Sequence, residues 1–161
     1  MELEQPQKAM EFVRLDAGSE WAARAAAHIF LREGKLAEAR QSLRRISITP
    51  VMGDDLLQAC LDPSQPPSLE RIAQEAEATA LAGADAEPRY LVGSVLSYCG
   101  QKDAAVHSLR SAIEQNYCAY TALQSDPMLA KLRGTPEFSK LLSAAKECQN
   151  RFLAQRDRSS R

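Results

Sequence analysis

No stretch of 18 consecutive apolar residues occurs in this 161-residue chain, so the sequence offers no transmembrane helix. Its opening, MELEQPQKAMEF, lacks the apolar run of a signal peptide. Glycine and proline, at seven and eight residues, are too sparse for a linker-like or collagenous chain. Neither sign of charge dominates: 20 Lys+Arg stand against 21 Asp+Glu, which argues against a general nucleic-acid binder. Catalytic signatures are missing too, with no GxSxG, HExxH, GxxxxGK[ST] or GxGxxG. The Asp54-Asp55 pair reads as helix-opening acids that favour the helix dipole, not as a catalytic dyad. The chain is therefore expected to be no enzyme and to need no cofactor.

Cysteine is also scarce. Cys60, Cys99, Cys118 and Cys148 are separated by 39, 19 and 30 residues, and neither His28 nor His107 lies near one in sequence. Zinc sites draw on short Cys/His spacings, so no metal site is expected. The simplest expectation is four small, mostly buried thiols in a reducing cytosol, and hence a cytoplasmic protein.

What the chain has in quantity is alanine and a three-to-four-residue apolar rhythm. Leu36, Ala39, Leu43 and Ile46 form one stripe, and Ala105, Leu109 and Ala112 a second. Phe138, Leu141, Leu142, Ala145 and Cys148 form a third. This is helix spacing, with no strand-like alternation to compete, so an all-α fold is predicted. Ser19 is placed to cap a second helix after a first at about 5–16. Asp85 with Pro88 opens another, and Thr135-Pro136 opens a long final helix to about 156. Between Pro50 and Pro67 only a short helix fits, because Pro66-Pro67 cannot sit inside one. The domain is expected to span 1–157, with a flexible tail at 158–161.

The segments WAARAAAHIFLREGKLAEARQSLRRI and PRYLVGSVLSYCGQKDAAVHSLRSAI align with each other. Each has a helix ending at glycine (Gly34, Gly100), a small residue five positions later (Ala39, Ala105) and leucine nine later (Leu43, Leu109). The glycines are 66 apart, and half that offset reaches a middle unit at Leu69, Ile72 and Ala76. A further step of 33 from Gly100 lands at Arg133-Gly134. One period fits four successive helix pairs, none of which can bury its apolar stripe alone.

These residues resemble the tetratricopeptide repeat family, most clearly over Ala23–Ile46 and Arg89–Ile113. Ala27 and Gly93 take the small place in the first helix of each repeat, with Phe30 and Leu96 beside it. Ala39 and Ala105 take the small place in the second helix. Leu43 and Leu109 replace the usual aromatic, and two further units depart from the pattern. The segment NYCAYTALQSDPMLAKLRGTPEFSKLL looks like the closing repeat of such arrays in large bacterial regulatory proteins. The resemblance implies a right-handed solenoid of degenerate helical hairpins with a C-terminal capping helix. It also implies that the chain is the C-terminal docking part of something longer, its first helix the second half of a truncated repeat.

Carried over by residue, the resemblance places Trp21, Arg24, His28 and Arg32 on a concave groove. Tyr90, Ser94, Ser97 and Tyr98 join them from the second clear repeat. The implied function is a protein–protein interaction scaffold. Arg24, His28 and Arg32, spaced four apart, form a stripe of mutually repelling cations suited to an acidic or polar peptide. If the face is a groove, His28 is expected to strengthen binding as it protonates, near pH ~6.5 for an unperturbed imidazole. The carboxylate clamp of chaperone-binding relatives is not reproduced, since His28 stands where asparagine is wanted. The other reading is self-association through the final helix. Charge is banded, with six basic and two acidic residues over 21–50 and two basic and eight acidic over 51–90.

Overall fold

The computed structural model describes residues 6–46, 51–62 and 68–159. Among these there are nine α-helices, a single 3-10 turn and no strand. The first four helices are α1 (Pro6–Leu15), α2 (Glu20–Arg32), α3 (Leu36–Leu43) and α4 (Asp54–Leu61). There follow α5 (Leu69–Ala82), α6 (Ala86–Tyr98), α7 (Lys102–Glu114) and α8 (Tyr120–Ser125). After the 3-10 turn Pro127–Leu129, the final helix α9 covers Pro136–Ser159. Pro50, Pro63, Pro66 and Pro67 lie outside the described residues, as do the last two residues of the expected tail; Arg158 and Ser159 are helical.

The caps explain where the helices begin. Ser19 Oγ accepts from the Ala22 N–H at 3.0 Å, satisfying a donor that an α-helix start leaves free. The Asp85 carboxylate does the same for Glu87, and Thr135 Oγ1 for Phe138 ahead of Pro136. They end alike. At Gly34 and Gly100 the backbone turns left-handed, with φ of 73° and 84°, which glycine alone adopts without a Cβ penalty. The Gly34 N–H reaches Leu31 O and the Lys35 N–H reaches Phe30 O; Gly100 and Gln101 repeat this on Ser97 and Leu96. Both are Schellman closures, 66 residues apart.

Each of these turns folds two helices back on one another as a hairpin, α2 on α3 and α6 on α7. Ala39 and Ala105 have no exposed surface where the hairpins close. Gly93 shows why the partner position must be small: a Cβ there would stand 2.9 Å from Leu109 Cγ. From α1 to α7 each helix packs on the next, and α7 then meets α9. One continuous core results, from Ala27 through Leu57, Leu96 and Leu109 to Leu141 and Ala145. Leu36, expected in the first stripe, is instead 41% exposed at the start of α3.

The cysteine expectation is corrected. All four are paired: Cys60 of α4 with Cys99 at the end of α6, and Cys118 with Cys148 of α9. Packing brings α4 beside α6 and the α7–α8 connection beside α9, and spacing along the chain carries no trace of that proximity. Among the described residues no helix is long and apolar enough to cross a membrane.

Candidate functional site

Helix α2 presents residues at three- and four-residue intervals to one side, and the first turns of α6 face them. Between lies a pocket of about 290 Å³ lined by Trp21, Arg24, His28, Arg32 and Tyr90. Met52, Glu87, Leu91 and Tyr117 also stand on its walls. Five of the eight expected groove residues thus meet in one hollow. The other three do not. Ser94 and Ser97 are wholly buried, because α6 is packed on almost every side. The Ser94 hydroxyl donates to Leu91 O at 2.7 Å. Tyr98, at the far end of α6, carries Lys131 Nζ 5.8 Å above its ring, with the ammonium donating to its carbonyl.

The arginine stripe is not a row of free cations, which corrects the electrostatic expectation. Arg24 is 6% exposed and donates through Nε to Asp54 Oδ2 at 2.7 Å, with a second guanidinium nitrogen at the same distance. Arg32 meets Asp126 Oδ2 at 2.7 Å. Both carboxylates are buried, Asp54 at the start of α4 and Asp126 at the start of the 3-10 turn. Asp126 also accepts from the Tyr90 hydroxyl at 3.1 Å and, through Oδ1, from the Met128 N–H at 3.0 Å. The two ion pairs tie α2 to elements 30 and 94 residues further along. Burial of such pairs demands mutual compensation, since an unpaired charge here would lose its hydration with no return.

His28 lies between the arginines and is 6% exposed. Burial, then the Arg32 charge, pushes its pKa down to about 4, with Asp126 opposing and Arg24 adding to the depression. The imidazole is neutral at physiological pH, so the condition behind a switch near 6.5, an unperturbed side chain, is not met. Its Nδ1 has no hydrogen-bond partner among the described residues. The Tyr90 hydroxyl is held well above its ordinary range, first by burial and then by Asp126.

With both arginine charges paired internally, the pocket presents mainly aromatic and apolar surface. Trp21 is 61% exposed, and the Arg24 guanidinium stacks 4.7 Å from its ring centre. Tyr117 packs against Tyr90 with ring centroids 5.1 Å apart. Sequence reasoning missed Asp54, Asp126 and Tyr117. Asp126 carried one usable signal, an aspartate directly before proline at a break, which commonly caps the next turn. Among the described residues no cluster of three or more His, Cys, Asp or Glu side chains is placed to hold a metal. No family model, curated protein or solved structure matches the chain.

Proposed function

We propose that the chain is a non-catalytic protein–protein interaction module that takes a peptide or protein partner through the face shared by α2 and α6. One observation carries this reading: a pocket with the half-exposed Trp21 at its mouth and Tyr90, Tyr117 and Leu91 on its walls. Aromatic side chains in a concave, largely apolar hollow are the common anchors of binding hot spots. The tetratricopeptide-like solenoid remains our reading of the architecture, supported by the matching Schellman closures and the buried Ala39 and Ala105. In that reading α2, α4 and α6 are the groove-lining helices. The bacterial regulatory setting rests on the sequence resemblance alone. Pairing of all four cysteines favours folding in an oxidising compartment over the cytosol first expected.

Trp21→Ala tests the site, because an exposed side chain can be removed with the fold intact. Binding to a peptide array should fall by about tenfold or more, the scale of a hot-spot truncation. An unchanged binding profile, with unchanged circular dichroism, would refute the groove. A second reading, self-association, is favoured by the end of α9, where Phe152 is 59% exposed. Sedimentation velocity of wild type against Phe152→Ser decides it; a monomer in both sinks that reading.

A further inference from the structure

A second hollow adjoins the first. It has a volume of about 460 Å³ and is walled by Asp55, Ala76, Thr79, Ala80 and Val92. Met52 lines both hollows, and α6 serves both with neighbouring residues, Glu87 to the first and Pro88 to the second. Met52 stands at the boundary with φ of 55°, a left-handed backbone unusual outside glycine. Among the described residues Met52 is the one that lines both spaces, and its thioether side chain is flexible enough to reshape around an occupant.

The charges along this double hollow are unevenly satisfied. Arg24 and Arg32 are held by Asp54 and Asp126, and Glu75 is bridged to Arg71. Glu87 is exposed and Asp55 half-buried, and among the described residues neither forms a salt bridge. His28 is neutral and leaves Nδ1 unpartnered against the pocket's inner wall. The uncompensated charge on this face is therefore acidic, although the arginines dominate its sequence. An acidic ligand would meet Glu87 and Asp55 and could gain a cation only by drawing an arginine off its buried carboxylate. A cationic ligand faces no such obstacle.

We propose that the two hollows form one groove for an extended basic peptide, with an aromatic or large aliphatic side chain seated beside Trp21 and lysine or arginine side chains engaging Glu87 in the first hollow and Asp55 in the second. The proposal rests on the reading of the Trp21 face as a partner groove and specifies its ligand. The anchor displaces water from Trp21, Leu91 and Tyr117; the cations select the partner and set its orientation across Met52.

The test is panning of a phage-displayed library of random dodecapeptides against the intact, disulfide-bonded chain. Selected peptides are then titrated against Trp21 emission, which is specific because the chain has one tryptophan. The expected peptides combine an aromatic or large aliphatic residue with nearby Lys or Arg, shift Trp21 emission and bind more weakly as salt rises. The double variant Asp55→Asn, Glu87→Gln should weaken them about tenfold, as loss of complementary charge does. Acidic or uncharged peptides that shift Trp21 emission would overturn the basic-peptide proposal and leave the groove standing. Basic peptides that bind the double variant equally well would do the same. If no selected peptide moves Trp21 emission, both the groove and the proposal fail.

Discussion

Asp126 is the point at which the structure makes its strongest energetic claim. Its carboxylate has no exposed surface and takes three donors: the Arg32 guanidinium, the Tyr90 hydroxyl and the Met128 N–H. Asp126→Asn keeps the size and the acceptor for Met128 but removes the charge. The Arg32 side chain, only 11% exposed, is then left cationic and without its carboxylate. Breaking a buried pair this way costs about 3–5 kcal/mol. For a chain of this length that lowers Tm by roughly 6–20 °C. Urea unfolding followed by circular dichroism and by Trp21 emission gives the number. Arg71→Ala is the control, since it removes an exposed pair whose side chains are 60% and 56% accessible. It should cost about 0–1 kcal/mol. The double variant with Arg32→Met removes the orphaned charge as well and should recover part of the loss, through a coupling of about 1–3 kcal/mol. An Asp126→Asn cost no larger than that of Arg71→Ala would refute the claim that this pair ties α2 to the 3-10 turn.

His28 makes stability pH-dependent in a stated direction. Its folded pKa of about 4 lies below the ordinary 6.5, so the unfolded chain binds the proton more readily. Its neutral-form stabilisation is whole above pH 6.5 and declines as pH falls towards 4, by about 3 kcal/mol in all. His28→Gln should flatten this slope in urea melts between those values, and an unchanged slope would assign it to other groups. Reduction of Cys60–Cys99 and Cys118–Cys148, which close loops of 39 and 30 residues, should cost about 2–4 kcal/mol each, checked by melts with and without dithiothreitol. Gly93→Ala gains helix propensity of about 1 kcal/mol but brings its Cβ to 2.9 Å from Leu109 Cγ, so net destabilisation is expected by thermal melt. Ala39→Leu and Ala105→Leu should each cost about 1–3 kcal/mol by overpacking, and a neutral result at both would undo the equivalence of the two hairpins.

The sequence made the helices legible because their signals are local. Caps at Ser19, Asp85 and Thr135, and left-handed closures at Gly34 and Gly100, involve residues within five positions of one another. Periodicity likewise placed Ala39 and Ala105 inside. The candidate site was legible only by halves. Spacing by three and four residues put Trp21, Arg24, His28 and Arg32 beside one hollow, and the 66-residue offset brought Tyr90 to it. The same offset failed for Ser94, and the resemblance for Ser97, because their helix is enclosed by α5, α7 and the 3-10 turn; Tyr98, which the offset also reaches, lies at the far end of α6 away from the hollow.

Charge was the hardest property to read. A stripe of three basic side chains looks cationic only while its partners are unknown. Asp54 and Asp126 lie 30 and 94 residues beyond the arginines they neutralise, and no spacing rule spans such distances. Once both pairs are closed, the arginines act as internal ties between helices. On the groove we propose, the uncompensated charge then rests with Glu87 and Asp55, residues that open α6 and α4 and that in sequence look like ordinary helix-start acids. The sign of a groove is thus set by which of its charges remain unpaired, and pairing is a property of the packed helices.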